Sequence, residues 1–323
     1  MGAEIIRLLA EREFPLEQLR LLATARSAGT RVEFCGRSIE IAEVDETSFT
    51  GVDLAFFCAT GEASRRYAPL AVEAGAVVID KSNAFRMDPS VPLVVPEVNP
   101  SDLYGHPGII ASPNCSTIQM VVALKPLLDA AGLKRVVVST YQAVSGSGRD
   151  AMEELMTQIA DLAAGRAPAR KVYPHQIALN LFPHIDKFDD QGNTAEELKM
   201  VHETRKILHL PTLPVAATCV RVPVLTGHSE AVYVETERPL SAERVRELLQ
   251  HAPGVTVMDD PERGVYPTPL AAAGRDDVLV GRIRADQSWE NGLSLWVVAD
   301  NLRKGAATNA VQIAEWMIAH GLL

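Results

Sequence analysis

The sequence predicts an α/β protein in two parts: a doubly wound, Rossmann-like parallel-sheet domain made by residues 1–113 and 302–323, and an α+β domain spanning 114–301. Three observations carry that prediction. A chain of 323 residues is longer than a single hydrophobic core usually organises. Through the first third, continuous apolar runs such as Leu54-Ala55-Phe56-Phe57-Cys58 alternate with helical patterns, as strands covered on both faces by crossover helices do. Beyond about residue 114 the strand-like runs lengthen and follow one another in antiparallel fashion, which fits a mixed or antiparallel sheet.

The chain opens on a helix, because Ile5, Ile6, Leu8 and Leu9 recur at helical spacing between Gly2 and Arg12. Strands are expected at Leu19 to Thr24, Val52 to Ala59 and Ala76 to Asp80, with a helix from Ser64 to Ala74. The run after Ser112-Pro113-Asn114-Cys115-Ser116-Thr117 is apolar and helical as far as Gly132, a residue suited to a helix C-terminus. A strand follows at Val136 to Tyr141, and Ala163 to Pro174 has the composition of a loop. Thr218 to Leu225 and Glu230 to Glu237 flank Thr226-Gly227-His228-Ser229, which predicts a hairpin or a tight reversal. Further strands are expected at Val278 to Arg284 and Leu293 to Ala299. A closing helix, Lys304 to His320, has an apolar face suited to packing on the first domain.

Composition narrows the function. Hydrophobic residues at 47% and charged residues at 22% suffice for a buried core and argue against a disordered chain. A formal net charge of -10 without a Lys/Arg-dense run argues against nucleic acid or an anionic membrane as partner. Cys35, Cys58, Cys115 and Cys219 include no C-x-x-C pair, so no metal site and no redox dithiol is expected. No stretch reaches the ~20 apolar residues of a membrane span. Glu4, Arg7, Glu11 and Arg12 stand where a secretion signal would be apolar, and reduced thiols point to the cytoplasm.

Cys115 begins a helix. There the free amide N–H groups and the positive end of the helix dipole favour a thiolate, and the same amides can stabilise an oxyanion on a carbonyl that the sulfur attacks. Asn114 adds a side-chain donor. Position alone leaves two readings, a nucleophile or a small packed thiol. Cys35, Cys58 and Cys219, in strand-like apolar surroundings, read as packed and inert.

With Ser-Pro-Asn-Cys-Ser-Thr at 112–117, the chain resembles aspartate-β-semialdehyde dehydrogenase of the bacterial type over essentially its whole length. The matching motifs are Ser82-Asn83-Ala84-Phe85-Arg86-Met87, Pro92-Leu93-Val94-Val95-Pro96-Glu97-Val98-Asn99, Tyr141-Gln142-Ala143-Val144-Ser145-Gly146, Glu196-Glu197-Leu198-Lys199-Met200 and Thr218-Cys219-Val220-Arg221-Val222-Pro223-Val224. The resemblance implies NADP-dependent, phosphate-requiring interconversion of aspartyl phosphate and aspartate semialdehyde, on the route to lysine, methionine and threonine. It makes Cys115 the nucleophile, His228 the acid/base group and Gln142 the amide that orients substrate beside the sulfur. Arg221, in an apolar strand, needs an anion: the substrate carboxylate or a structural salt bridge. Arg86 and Lys199 match the family's phosphate-binding cations, and Glu196 its ammonium-binding carboxylate. The resemblance also implies a homodimer or a tetramer. Two other readings are an N-acetyl-γ-glutamyl-phosphate reductase, whose substrate has no free ammonium for Glu196, and a noncatalytic dimerising homologue.

For the cofactor, Thr24, Arg26 and Ser27 follow the second expected strand of a dinucleotide fold, where Arg26 suits a ribose 2′-phosphate and favours NADP over NAD. Ser145, Gly146 and Asn301 match family positions near the nicotinamide. The family's opening strand and glycine loop precede the residue that aligns with Met1. A GTG valine codon read as the start accounts for this, with a true truncation as the rival; in the chain as written two strand edges are expected to lack a partner and the pyrophosphate site to be missing, so that it folds poorly or binds NADP weakly.

Overall fold

The computed structural model describes residues 1–323, which form two compact units: residues 1–113 with 306–323, and residues 114–305. Residues 302–305, expected in the first unit, fall in the second. Asp300 holds them there: Oδ1 accepts from the Leu302 and Arg303 amides, and its main-chain oxygen accepts from Gly305.

The first unit begins with α1 (Gly2–Glu11), β1 (Leu21–Ala23), β2 (Arg31–Phe34), β3 (Arg37–Glu43), β4 (Leu54–Phe57), α2 (Gly61–Glu73), β5 (Val77–Asp80) and β6 (Ile109–Ala111). Its strands form two three-stranded sheets, in the orders β1-β3-β2 and β4-β5-β6. All neighbours are parallel except the β2–β3 hairpin. That hairpin is not apparent from apolar patterning because only alternate residues are half-buried. Its turn is Cys35-Gly36, both at positive φ, so Cys35 is exposed at a turn and not packed within a strand as expected. β1 and β4 each end a sheet, so each has one backbone edge outside any ladder. Side chains still bridge the two sheets: Leu22 of β1 joins Ala55 and Phe57 of β4 in one apolar cluster.

The second unit contains α3 (Cys115–Ala131), β7 (Leu133–Gln142), α4 (Arg149–Ala163), α5 (Ala195–Ile207), β8 (Val215–Arg221), β9 (His228–Thr236), α6 (Ala242–Gln250), β10 (Val255–Val257), α7 (Pro269–Ala272), β11 (Val278–Asp286) and β12 (Gly292–Ala299). Its six strands lie in the order β10-β11-β12-β9-β7-β8. β7 and β8 are parallel, as are β10 and β11, and the remaining neighbours are antiparallel. The expected hairpin between β8 and β9 is therefore absent. β7 lies between them, and residues 222–227 form a crossing and not a tight turn.

Side chains alternate between the faces of these strands. One face buries Cys219 and Arg221 of β8, Val138, Thr140 and Gln142 of β7, and His228, Glu230, Val232 and Val234 of β9. α3 lies against β7, β9, β11 and β12, while α5 lies against β8. α3 is apolar nearly all round, with Ile118, Met120, Val121, Val122, Leu124 and Leu127 buried, as befits a helix enclosed in the core.

After a π-helical turn at Arg303–Ala307 the chain re-enters the first unit as α8 (Thr308–Ala319), four residues later than the helix start read from the sequence. Val311, Ile313, Ala314 and Met317 of α8 pack with Ile5, Leu8 and Leu9 of α1 and Ile79 of β5.

Candidate active site

Three strands of the second unit deliver side chains to one end of the sheet. Gln142 ends β7, Arg221 ends β8 and His228 begins β9. Arg221 is thus a strand-end residue and not mid-strand, and His228 belongs to a strand and not a turn. Gln142 and Arg221 are paired in the ladder. The Ala143 amide donates to His228 Nδ1 at 3.0 Å, which brings the imidazole beside the end of β7.

Two helix N-termini meet at the same side chains. Asn114 caps α3: its Oδ1 accepts from the Ser116 amide at 3.0 Å and the Thr117 amide at 3.4 Å. Those amides are therefore engaged by the cap and do not supply the oxyanion contact expected of them. Asn114 Nδ2 donates to Glu196 Oε1 at 2.9 Å, and Gln142 Nε2 reaches the same oxygen at 3.1 Å. Glu196 lies in the first turn of α5, which opens with a capping box between Thr194 and Glu197. Glu203, two turns further along the same face of α5, accepts the Asn114 main-chain N–H at 2.6 Å. Cys115, half-buried as the first residue of α3, is thus placed by a cap that α5 grips from two positions.

Arg221 is 5% exposed, and its Nη1 donates to the Ala143 carbonyl. No acidic side chain forms an ion pair with it, so of the two partners open to it the structural salt bridge is absent. Burial, and after it the Arg221 charge, holds the His228 imidazole well below its usual range. His228 Nε2 has no hydrogen-bond partner in the protein. Gly146 faces both groups: a Cβ there would stand 3.3 Å from Arg221 Nη1 and from His228 Nε2. Asn301 Nδ2 donates to Ser145 Oγ at 2.9 Å and its Oδ1 accepts from Gly227 at 2.9 Å, tying three segments together.

Lys199, one turn after Glu196, lies 3.1 Å from Glu196 Oε2 and 2.8 Å from Asp186 Oδ2. Burial opposes its charge, but the two carboxylates outweigh that and raise its pKa. In the first unit, Arg86 is buried and donates from Nη2 to the Lys81 carbonyl at 2.9 Å. Thr24, Arg26 and Ser27 form the turn after β1, with Thr24 and Arg26 exposed. An exposed guanidinium just beyond the C-terminal end of a parallel strand fits a ribose 2′-phosphate.

The family model described as "Semialdehyde dehydrogenase, NAD binding domain" matches residues 1–106, and "Semialdehyde dehydrogenase, dimerisation domain" matches residues 124–304. The chain belongs to the semialdehyde dehydrogenase family. Among its relatives, an aspartate-semialdehyde dehydrogenase of Aquifex aeolicus is 54% identical, the match covering 100% of this chain and 96% of that protein. The crystal structure of aspartate semialdehyde dehydrogenase II complexed with ASA from Vibrio cholerae is similar at a TM-score of 0.95 and 49% identity, covering 98% of this chain and 95% of that one. The Candida albicans aspartate semialdehyde dehydrogenase with NADP is similar at a TM-score of 0.77 and 26% identity, covering 100% of this chain and 96% of that one.

In this semialdehyde dehydrogenase, two residues beyond those read from the sequence shape the cysteine. Glu203 is signalled only by its seven-residue spacing from Glu196 on an amphipathic helix. Gly305 has no sequence signal, yet a Cβ there would meet Cys115 Cβ at 3.0 Å and its main chain at 3.4 Å. Gly305→Val is expected to push the cysteine out of place and lower kcat by roughly 10- to 100-fold. Steady-state kinetics checks this, with unchanged kcat as the contrary result.

Proposed function

We propose that this semialdehyde dehydrogenase interconverts L-4-aspartyl phosphate and L-aspartate 4-semialdehyde, with NADP and phosphate, in lysine, methionine and threonine biosynthesis. The observation that carries the reading is a buried Arg221 guanidinium with no acidic partner, paired in the ladder with a glutamine that is hydrogen-bonded through Glu196 to the cap of the Cys115 helix. A substrate bearing a carboxylate satisfies the guanidinium by bidentate pairing. Glu196 offers its charge to an ammonium, which an N-acylated substrate lacks. Relatives named aspartate-semialdehyde dehydrogenase support the same choice.

In the biosynthetic direction the Cys115 thiolate attacks the acyl carbon, the C–O bond to phosphate breaks, and an acyl-thioester forms. Arg86 and Lys199 hold the departing phosphate, which takes up the one proton that the reaction consumes. Gln142 orients the acyl group. NADP, when bound as NADPH, supplies hydride to the thioester carbon. The Ala143 amide fixes Nδ1 of His228 as an acceptor, so the neutral ring carries its proton on Nε2. That N–H donates to the carbonyl oxygen as it becomes negative, a neutral-imidazole role suited to a depressed pKa. The tetrahedral adduct collapses, the C–S bond breaks, and aldehyde leaves with the thiolate regenerated.

Thr24, Arg26 and Ser27 would hold the adenosine ribose and its 2′-phosphate, and Ser145, Gly146 and Asn301 would serve the nicotinamide end of the bound cofactor. Two copies of the chain associate, and the match of residues 124–304 to a dimerisation domain supports the second unit as the part that joins them. No helix is long and apolar enough to cross a membrane, and the cytoplasm is the proposed location.

The test is NADPH formation from aspartate semialdehyde with phosphate and NADP. The expected result is phosphate-dependent turnover, at least about 100-fold faster than with N-acetylglutamate semialdehyde. Equal or faster turnover of the N-acetyl substrate, or none with either, overturns the reading.

A further inference from the structure

A carboxyl group that the reaction does not use lies directly beneath the site. Glu230, two residues after His228 on β9, is fully buried, and neither carboxyl oxygen has a hydrogen-bond partner in the protein. It faces the same side of the sheet as His228, one row deeper. Its ladder neighbours are Thr140 on β7 and Val297 on β12, and Thr140 in turn is paired with Cys219 on β8. An ionised carboxylate in such a layer, without a cation or donor, is among the costliest arrangements a core can hold.

One polar side chain reaches it. Gln119 lies one helical turn beyond Cys115 on α3, and its Nε2 donates to the His228 main-chain oxygen at 3.3 Å. The same carboxamide adjoins the Glu230 carboxyl, and Gln119 Oε1 also has no partner. With one Nε2 hydrogen given to His228, the two groups have three acceptor oxygens and a single remaining donor hydrogen between them. One proton on the carboxyl converts that conflict into a hydrogen bond.

We propose that Glu230, as the neutral carboxylic acid, forms a hydrogen-bonded pair with Gln119, and that this pair fixes the main chain of His228 against the helix that carries Cys115. Glu230 and Gln119 are thus positioning residues for the imidazole. The protonation state agrees with the electrostatics: burial drives the Glu230 pKa well above the usual carboxylate range, and only the Gln119 contact opposes it. On the same sheet face His228 and Cys219 are kept neutral by burial, and the Arg221 cation lies one row nearer the site, paired with Gln142. The function assigned to such an acid is registry between β9 and α3, which apolar packing alone leaves free to slide.

The proposal rests on the role given to His228 above, and its test is chosen to fail separately. The first measurement needs no turnover: the infrared difference spectrum of wild type minus Glu230→Gln near neutral pH. The expected result is the carbonyl stretch of a protonated carboxylic acid, and a carboxylate band in its place overturns the proposal. The second is kinetic. Glu230→Gln keeps a neutral donor of the same shape and is expected to hold kcat within about threefold, whereas Glu230→Met is expected to lower kcat at least about tenfold with KM for aspartate semialdehyde and phosphate little changed. Gln119→Met, which breaks the same link from the helix side, is expected to match Glu230→Met and serves if that variant does not fold. Equal loss in Glu230→Gln and Glu230→Met, or full kcat in Gln119→Met, overturns it.

Discussion

Cys115→Ala is expected to leave less than about 10⁻⁴ of the wild-type kcat while the protein stays folded. The residue is the first of α3 and only half-buried, and the α3 cap depends on Asn114, Glu196 and Glu203 and not on the sulfur. Removing one sulfur atom therefore takes away the covalent intermediate with little change in packing, so the melting temperature should shift by only a few degrees. Steady-state assay and thermal melting check both halves. Mass spectrometry gives a direct complement: wild type quenched during turnover carries an aspartyl adduct on the peptide containing Cys115, and the variant carries none. Measurable turnover in Cys115→Ala means that the chemistry lies elsewhere.

His228→Ala is expected to lower kcat by roughly 10²- to 10³-fold, the loss associated with one well-placed donor to a developing oxyanion. His228→Gln presents an amide N–H from a similar position and should recover part of that loss, which a residue acting only as a proton-transfer base would not allow. The pH dependence follows from the same burial. His228 is depressed well below its ordinary 6.5 by desolvation and then by Arg221, so the folded protein stays unprotonated there when the unfolded chain does not. As pH falls below about 6.5 the unfolded state binds the extra proton and stability is lost, down to the folded pKa. Melting temperatures measured from about pH 7 to pH 5 should therefore fall less steeply for His228→Gln than for wild type. Equal slopes mean that the imidazole is not held neutral by the fold.

What could be read from the sequence was whatever local pattern determines. The helix after Asn114, its glycine end at Gly132 and the parallel strands of the first unit follow from spacing and capping chemistry, and the structure has them. Pairing partners are a different matter, because they depend on contacts far apart in the chain. Thr226-Gly227 looks like a hairpin turn, yet β7 occupies the place beside β8 that a hairpin would give to β9. The β2–β3 hairpin goes unread for the converse reason: its strands are half-exposed and its turn contains a cysteine, an unusual residue at positive φ. At the candidate site, family motifs point to Glu196, Gln142 and Asn114, but that one carboxylate oxygen collects both amides is a tertiary fact. Glu230 shows the limit most clearly. As a glutamate in a strand it reads as a solvated residue, and only the sheet around it reveals a buried acid without a cation.

Because Gln142, Arg221 and His228 reach the site from strand ends on a single face, the site depends on a parity. A one-residue insertion inside β9 after His228 would turn Glu230, Val232 and Val234 outward and bring their neighbours inward, while a two-residue insertion would restore the phase. β7 already contains one such slip, between Leu133 and Arg135, and absorbs it before Thr140 and Gln142, with Lys134 and Arg135 both left to pair with Glu235. Length changes in the 222–227 crossing alter no phase at all. Length variation inside these strands should therefore be tolerated only in twos.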